Sequence, residues 1–154
     1  MNLRIYATTW RQDGNRLGAI RREVFIVEQQ VPEELEWDEH DISAIHFACE
    51  EIPQTTIVGT ARLVLDTRNS KATIGRLCVA KSFRHQKIAT QLMHKVLAYC
   101  REQKFQSIEL HAQLYLRAFY ESFGFVAQGG IYMEAGIEHI TMLRHGKSDL
   151  NGNR

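Results

Sequence analysis

The chain has 154 residues, of which 44% are hydrophobic and 24% are charged, so it is able to bury a core and is not predicted to be disordered. Its formal net charge of +1 gives no support to a nucleic-acid binder or a membrane-surface binder. The three cysteines include no C-x-x-C pair, which argues against a disulfide scaffold and a structural zinc site. The N-terminal stretch has no apolar signal region and no run is long enough to cross a bilayer, so we expect a cytoplasmic protein.

The first predicted elements are a strand over residues 3–9, which alternates in polarity, and a helix. The helix is indicated by four apolar residues at helical spacing, Leu17, Ile20, Val24 and Val27. The acidic segment 29–43 follows, and we expect a solvated loop there with room for a short second helix. Strands are predicted over residues 44–51 and 56–66, around Pro53. The second of these is aliphatic and β-branched throughout, which favours a central position in a sheet.

The second half of the chain alternates between predicted strands and helices. A strand over residues 71–80 leads into the strongest predicted helix, whose apolar stripe is Ile88, Leu92, Val96 and Cys100. A strand over 106–112 is followed by a short helix that is predicted to stop at Gly124, a residue suited to a C-terminal cap. Residues 125–135 and 136–144 are predicted to pair as a hairpin.

The order of these elements is β, α, (α), β, β, β, α, β, α, β, β, which predicts an α+β or mixed α/β fold. The chain has about the length of one ordinary domain. We expect a domain over residues 1–145 and a polar C-terminal tail over residues 146–154.

The turn Ser82–Lys87 carries basic side chains directly before the strongest predicted helix. A helix start exposes about four unpaired N–H groups and the positive end of the helix dipole, so it suits a phosphate. Neither G-x-x-x-x-G-K-[ST] nor G-x-G-x-x-G occurs, so a P-loop and a dinucleotide fingerprint are excluded. The alternative for this stretch is a solvated basic turn.

Two motifs in the chain resemble those of the GCN5-related N-acetyltransferase (GNAT) superfamily. The first is the aliphatic triplet Leu77-Cys78-Val79, followed by residues 84–89 in place of the family's R/Q-x-x-G-x-G/A and then by a long helix. The second is the stretch 108–125, which contains Phe119-Tyr120-Glu121 and Gly124-Phe125. The spacing between the two motifs also matches the family.

The resemblance extends to a bacterial, ElaA-like subgroup. Its features here are "REVFIVEQQVP", "EWDEHD", His46, "HAQ" and "GIEHITM". The implied fold is a central mixed, splayed sheet of about seven strands flanked by helices. The implied activity is acetyl transfer from acetyl-CoA to an amine by direct attack, with no metal ion.

The resemblance also implies which residues would hold acetyl-CoA. Backbone amides at Leu77, Cys78 and Val79 would meet the pantetheine and the acetyl carbonyl. The pyrophosphate would be held by the turn and first helical residues, Arg84, His85, Gln86, Lys87, Ile88, Ala89 and Thr90. Gln113 would hold the pantetheine arm, or is an ordinary polar residue at the start of a helix. The family usually has glycine where Lys87 stands; a lysine with a right-handed helical φ would still present its amide, and its ammonium would pair with the pyrophosphate.

Three residues are the catalytic candidates. Tyr120 matches the family tyrosine that serves as general acid, and a phenol with a pKa of about 10 stays protonated at neutral pH. His139 is the first candidate for the general base, because the resemblance includes glyphosate-acetyltransferase-like relatives with a histidine base there. His111 is the second. The alternatives are a half-buried tyrosine and histidines bonded to the backbone.

Arg76, His46 and Glu36 are the candidates for substrate binding. Arg76 would hold a carboxylate or phosphate of the substrate, or it pairs with a nearby acid. His46 and Glu36 are also further candidates for the base, acting through water. The acidic segment would attract a cationic amine if it is not simply solvated. Its "DEHD" stretch lacks the spacing of a metal site, and Cys78, inside an apolar strand, is expected to be structural.

We therefore expect an N-acetyltransferase whose acceptor is a small amine, with a protein N-terminus or lysine as the alternative acceptor. A non-catalytic acyl-CoA sensor and a transferase of longer acyl groups remain alternatives. A monomer or a homodimer is expected, without nucleic-acid or membrane partners.

Overall fold

The computed structural model describes residues 2–146. Seven strands form one sheet in the order β1-β2-β3-β4-β5-β7-β6. The strands are β1 (Asn2–Thr8), β2 (Ile45–Ile52), β3 (Thr56–Asp66), β4 (Lys71–Val79), β5 (Ser107–Gln113), β6 (Val126–Glu134) and β7 (Ile137–His145). The α-helices are α1 (Trp10–Arg21), α2 (Glu33–Glu36), α3 (Ile88–Glu102) and α4 (Arg117–Glu121). Parallel and antiparallel strand pairs both occur, so the predicted mixed α+β fold with about seven strands is confirmed. The predicted C-terminal tail lies outside the described residues from position 147 onward.

The described chain divides into two compact units. Unit 1 holds residues 2–64 and 75–99, and unit 2 holds residues 65–74 and 100–146. Strand β4 and helix α3 each contribute residues to both units.

In unit 1, the close packing of α3 on β3 fixes where the helix begins. Gly59 lies in the middle of β3, and a Cβ atom added there would lie 2.9 Å from Ile88 Cγ2 and 3.2 Å from Leu92 Cδ1. A side chain at this position would therefore push the helix away from the strand. Ile88 and Leu92 are both buried, so the first turn of α3 is anchored on the core of unit 1.

The first predicted helix of unit 1 changes its geometry part-way along. Helix α1 ends at Arg21 and continues as a π-helix, Arg22–Glu28. Leu17 and Val24 are buried, but Val27 is 68% exposed. A π-helix has a wider turn than an α-helix, so the 3.6-residue spacing that pointed to Val27 does not hold beyond Arg21.

In unit 2, β5 lies between β4 and β7. It pairs in parallel with β4 from Lys71↔Ser107 to Ile74↔Leu110 and antiparallel with β7 along its whole length. Strands β6 and β7 form the predicted hairpin. Its two-residue loop has φ of 52° at Ala135 and 76° at Gly136, which is the backbone of a type I′ turn.

The short predicted helix of unit 2 is also present. A 3₁₀ turn at Leu114–Leu116 leads into α4. Gly124 follows with φ of 89°, and the N–H of Phe125 donates to the carbonyl of Tyr120 at 3.3 Å. This left-handed residue caps the helix, as predicted.

Candidate active site

The end of β4 has an irregular backbone. Arg76 has φ of 54°, a left-handed conformation that is uncommon for any residue with a side chain and that marks a local distortion when it occurs within a strand. Beyond it, the N–H of Ala80 donates to the carbonyl of Val58 at 2.8 Å, which ties the end of β4 to β3. The predicted acetyl-CoA residues Leu77–Val79 lie on this last part of the strand.

The turn between β4 and α3 combines two left-handed residues with a helix start. His85 has φ of 66° and Lys87 has φ of 63°. The carbonyl of Lys87 accepts a hydrogen bond of 3.0 Å from the N–H of Gln91, so the helix begins directly after Lys87. Left-handed residues within such a turn aim successive N–H groups at a common point, and this geometry binds anions. We call residues 84–90 the helix mouth.

The backbone at Lys87 differs from the right-handed geometry considered for it. Its φ is positive, which glycine adopts freely and which costs a residue with a Cβ about 1–2 kcal/mol. Lys87 therefore takes the conformation for which a glycine is suited, and its side chain is exposed. The turn forms in spite of the lysine.

The Arg84 side chain is held by an acidic residue of the π-helix. Its Nη1 and Nη2 donate to the two carboxylate oxygens of Glu28 at 2.6 and 2.7 Å, and its Nε donates to the carbonyl of Val79 at 2.9 Å. The hydrogen bonds from Arg84 lower the pKa of Glu28. The side chains of His85 and Gln86 are exposed. Glu28 was not among the predicted residues; it lies in the quoted "REVFIVEQQVP" segment, but its partner is 56 positions away.

Arg21 is the centre of a buried group of charges in unit 1. Its side chain is 1% exposed. Its Nε lies 2.8 Å from Glu36 Oε2, and its Nη1 lies 2.7 Å from Asp41 Oδ1. The guanidinium carbon lies 5.3 Å from the ring centres of both Trp10 and Trp37, so aromatic faces enclose the charge.

Two further arginines complete this group. Arg62 Nη1 lies 2.7 Å from Asp38 Oδ1 and 3.0 Å from Asp41 Oδ1, while its buried Nε has no hydrogen-bond partner among residues 2–146. Arg76 Nε lies 3.0 Å from Glu36 Oε2, and its Nη2 donates to the Glu36 carbonyl at 2.7 Å. We call these six residues the arginine–carboxylate network: Arg21, Arg62, Arg76, Glu36, Asp38 and Asp41.

The network corrects the expectation of a solvated acidic loop. Glu36 and Asp41 are buried, because each meets the guanidinium groups of two arginines. Arg76 is in the arrangement that the sequence left as its alternative, paired with nearby acids. Its predicted role in substrate binding, like that of Glu36, stays a prediction.

His46 lies beside the network in a buried position. Its Nε2 is 2.9 Å from the carbonyl of Asp41, and because a carbonyl can only accept, the Nε2–H donates. Its ring packs against Trp10 at 5.4 Å. Burial lowers the pKa of His46 below its usual value, so the imidazole is neutral at physiological pH.

Tyr120 is a buried residue of α4 in unit 2. Its ring makes edge contacts with Phe119 and Phe125, at centroid distances of 5.2 and 6.3 Å. Burial raises the pKa of the Tyr120 phenol above its usual value. The phenol therefore keeps its proton throughout the neutral range, as a general acid requires.

His111 lies on an exposed, polar face of β5, β7 and β6. Its Nε2 is 3.0 Å from Glu109 Oε2, and its Nδ1 is 2.9 Å from the Tyr132 hydroxyl and 3.2 Å from Thr141 Oγ1. Register places His111 opposite Thr141 and Tyr132 opposite His139. We call the residues Glu109, His111, Tyr132, His139 and Thr141 the polar face of unit 2.

His139 is the buried member of this face. Its Nδ1 is 2.7 Å from the carbonyl of Ile137, so Nδ1 carries a proton, and in the neutral ring Nε2 has the free lone pair. The Tyr132 ring is stacked on the His139 ring, with centroids 5.8 Å apart. Register places Gln113 opposite His139. The two histidines proposed as bases therefore both contact Tyr132, a residue that sequence patterns gave no reason to select.

The predicted site residues thus fall into two sets. The acetyl-CoA residues of β4 and the helix mouth lie in unit 1, as do Arg76, His46 and Glu36 around the network. Tyr120, His111, His139 and Gln113 lie in unit 2.

A comparison with protein families identifies the chain. A family model described as an acetyltransferase (GNAT) domain matches residues 7–145. The chain belongs to the GNAT acetyltransferase family.

Individual GNAT-related proteins support the same assignment. Protein ElaA of Escherichia coli (strain K12) is 34% identical over 127 residues, which are 81% of this chain and 82% of ElaA. The crystal structure of Escherichia coli ElaA matches with a TM-score of 0.84 at 28% identity, covering 94% of this chain and 100% of ElaA. An acyl-CoA N-acyltransferase from Pseudomonas aeruginosa matches with a TM-score of 0.84 at 28% identity, covering 93% of this chain and 99% of that protein.

The predicted GNAT membership, the ElaA-like resemblance and the GNAT fold are therefore confirmed. As a member of this family the protein is an N-acyltransferase enzyme. GNAT enzymes use an acyl-CoA and an acceptor.

The cysteines of this GNAT chain are all free and buried. Burial raises the pKa of the Cys49 and Cys100 thiols to about 11 and raises that of Cys78 further. A protonated thiol is a poor nucleophile, so Cys78 is suited to packing rather than to accepting an acyl group.

Two negative findings apply to residues 2–146. No group of three or more His, Cys, Asp or Glu side chains in this range is arranged to hold a metal ion. No helix in the described part of the chain is long and apolar enough to span a bilayer.

Proposed function

We propose that this GNAT enzyme transfers the acetyl group of acetyl-CoA to the amine of a small molecule. The observation that carries the proposal is the backbone of the helix mouth, where left-handed His85 and Lys87 precede the 15-residue helix α3. Such a turn supplies N–H donors together with the positive end of a helix dipole, which suits a pyrophosphate.

The helix mouth fits the phosphate part of the cosubstrate by its backbone. The N–H groups of residues 85–90 are the donors we assign to the pyrophosphate. The ammonium of Lys87 is exposed and adds a positive charge, whereas Arg84 is held by Glu28 and positions the turn. The amides of Leu77, Cys78 and Val79 are assigned to the pantetheine and the acetyl carbonyl, and Gln113 to the pantetheine arm.

Each step of the transfer needs a group of this chain in a defined protonation state. Acetyl-CoA supplies an activated thioester carbon for the amine to attack. Tyr120, whose pKa is raised by burial, is assigned as the acid that protonates the leaving thiolate. His139 is assigned as the base, because the proton on its Nδ1 is donated to Ile137 and its Nε2 is left to accept one. His111 is the second candidate for this role.

The remaining assignments are part of the same proposal. Residues 1–145 would form the catalytic domain and residues 146–154 a tail. Arg76, His46 and Glu36 would shape the acceptor side through the network. The protein would work in the cytoplasm, as a monomer or a homodimer, and its buried free cysteines suit a reducing compartment.

Binding and turnover are tested separately. At about 100 times its Kd, a ligand stabilises the folded state by about 2.7 kcal/mol, which for a chain of this size raises the melting temperature by about 5–10 °C. We expect this shift with CoA and acetyl-CoA and a smaller one with ATP, which lacks the pantetheine arm. If neither CoA nor acetyl-CoA raises the melting temperature, the proposal is contradicted.

Turnover is measured as release of free thiol from acetyl-CoA in the presence of primary amines. We expect Tyr120→Phe to lower kcat by about 100-fold with little change in acetyl-CoA affinity. The matched control is Tyr99→Phe, which removes a hydroxyl from a ring that packs against Phe47. Binding without thiol release would identify a sensor, and faster turnover of octanoyl-CoA than of acetyl-CoA would identify a transferase of longer acyl groups; either result replaces the proposal.

A further inference from the structure

We infer that Glu109, His111 and Tyr132 form a proton relay in which the Tyr132 hydroxyl takes the proton of the attacking amine. The inference rests on the proposed function but reassigns its base: the second candidate, His111, takes the role that was given to His139 and acts through Tyr132. It adds Tyr132 as a catalytic residue, with His111 and Glu109 as the groups that act through it.

The hydrogen bonds of His111 fix the direction of the relay. The Glu109 carboxylate, 3.0 Å from Nε2, can only accept when it is ionised, so the proton of a neutral imidazole lies on Nε2. Nδ1 is then an acceptor within reach of two hydroxyls, Tyr132 at 2.9 Å and Thr141 at 3.2 Å, and we assign the nearer one, that of Tyr132, as its donor. Carboxylate, imidazole and hydroxyl are thus joined in the order in which a serine hydrolase joins its acid, base and nucleophile.

His111, the histidine of the relay, is in contact with solvent, unlike the other two histidines considered for the base. The His111 side chain is 42% exposed, whereas His46 and His139 are buried. Tyr132 is half-buried, and burial raises its pKa. The Tyr132 hydroxyl therefore keeps its proton at neutral pH and has an oxygen lone pair for a second donor.

The charged and titratable groups around the relay come from four strands. Lys71 of β4 lies 2.9 Å from Glu109 Oε1, and Thr141 of β7 lies 3.2 Å from His111 Nδ1. The Tyr132 ring is stacked on His139. Burial and the charges of Glu134 and Glu109 raise the pKa of Tyr132, while a hydrogen bond with Thr141 lowers it. A proton that arrives at His111 therefore enters a site whose nearest carboxylate, Glu109, is shared between His111 and Lys71.

The proposed step conserves protons and charge. As the amine nitrogen attacks, its N–H bond breaks and the proton passes to the Tyr132 oxygen. The Tyr132 O–H bond breaks in turn, and that proton passes to His111 Nδ1. The resulting imidazolium is stabilised by the Glu109 carboxylate through its Nε2–H. Release of the Nδ1 proton to water returns the relay to its starting state.

Kinetics with the 154-residue chain test whether the three residues act as a unit. Thiol release from acetyl-CoA would be followed against pH with spermidine, glycinamide, tyramine and L-lysine, and the fastest acceptor would be kept. We expect Tyr132→Phe and His111→Gln each to lower kcat/KM by about 100-fold and to remove the same rising limb of the pH profile. The double variant should lose no more than either single variant, because groups that act as a unit are not additive. Tyr99→Phe, the matched loss of a hydroxyl, should retain the wild-type profile.

A second measurement does not depend on turnover. In the chain labelled with ¹⁵N-histidine, two-bond correlations at pH 8 report which ring nitrogen of each histidine is protonated, with His111 assigned by the loss of its signals in His111→Gln. We expect Nε2–H for His111 and Nδ1–H for His139.

The relay is overturned by an Nδ1–H tautomer at His111, by an unaltered pH profile in Tyr132→Phe, or by additive losses in the double variant. Failure of the proposed function looks different: the wild-type chain then releases no thiol with any of these amines, and the relay fails with it. Retention of the relay tautomer in a chain that has no turnover would mark a purely structural network.

Discussion

Unit 1 and unit 2 each contain a cluster of arginine, lysine, histidine and carboxylate groups, but they use them differently. In unit 1 the network is enclosed: Arg21 and Asp41 are buried, and three arginines share three carboxylates. In unit 2 the polar face is open to solvent at His111, and Lys71 beside it is also more than a third exposed. Enclosed charges hold elements in place, whereas exposed titratable groups are able to exchange protons.

The difference extends to what each unit is proposed to offer a ligand. The charged side chains of the network in unit 1 bind one another. The groups of the helix mouth that we assign to acetyl-CoA are chiefly backbone N–H groups. In unit 2 we assign side chains, Tyr120 and the polar face. A site built from backbone N–H groups depends on φ and tolerates substitution of its side chains. A site built from side chains is lost when those side chains are substituted.

The largest expected effect comes from breaking the network. Asp41→Asn keeps the shape of the side chain but removes the charge shared by Arg21 and Arg62. Loss of one partner from a buried ion pair costs about 3–5 kcal/mol. Urea unfolding of the variant should show this loss as a lower midpoint with an unchanged slope.

The matched control is Glu109→Gln in unit 2. This substitution also replaces a carboxylate by an amide, but the partners of Glu109 are the exposed Lys71 and His111. We expect a change in stability of about 1 kcal/mol or less. Equal losses of stability in the two variants would contradict the distinction between a buried network and solvent-exposed charges.

The next largest effect concerns the backbone of the helix mouth. Proline fixes φ near −65°, which is incompatible with the φ of 63° at Lys87. Lys87→Pro should therefore weaken CoA binding by at least about tenfold, or about 1.4 kcal/mol, as measured by calorimetry. Wild-type affinity in this variant would mean that the left-handed turn is not part of the binding site.

The pH dependence of stability separates His46 from the carboxylates of unit 1. Burial lowers the pKa of His46 below 6.5 in the folded state, so the unfolded chain takes up this proton first. The stability due to neutral His46 is complete above pH 6.5 and is lost as pH falls from 6.5 through the folded-state pKa. Unfolding curves between pH 7.5 and 5 should show this loss in the wild type and not in His46→Gln.

The carboxylates act in a lower pH window. Hydrogen bonds from Arg16 lower the pKa of Glu50 below 4.5, so the stability from this pair is present above pH 4.5 and is lost as pH falls through the folded-state value. This acid loss should be shared by the wild type and His46→Gln. If the loss of stability between pH 7.5 and 5 persists in His46→Gln, another group is responsible for it.

The smallest expected effect is that of Lys87→Gly. Glycine adopts the left-handed backbone without strain, and the N–H groups of the turn stay in place. Calorimetry should give a Kd for CoA within about threefold of the wild type, since a single exposed cation near a phosphate contributes little. A loss as large as that of Lys87→Pro would make the ammonium, rather than the backbone, the main ligand.

Much of the fold was accessible from the sequence because local patterns determine it. The stripe from Ile88 to Cys100 predicted α3, and Gly124 predicted a helix end that the structure confirms. The β6–β7 hairpin followed from the break at residues 134–136. The π-helix was missed, since the spacing through Val27 is compatible with an ordinary α-helix.

The partners of the polar residues were not accessible, because they come from distant parts of the chain. Glu36 and Asp41 look like members of a solvated acidic run, and their burial depends on Arg21 together with Arg62 and Arg76, which β3 and β4 bring in. His46 and His111 both lie in predicted strands, yet one meets a carbonyl and Trp10 and the other a carboxylate and two hydroxyls. The left-handed φ at Lys87 is likewise a property of the folded turn.

A crystal structure of the protein with CoA tests the central claim most directly. We expect the pyrophosphate oxygens within hydrogen-bond distance, about 2.7–3.2 Å, of backbone N–H groups between His85 and Thr90. A pyrophosphate bound elsewhere on the protein, or held only by side chains, would contradict it.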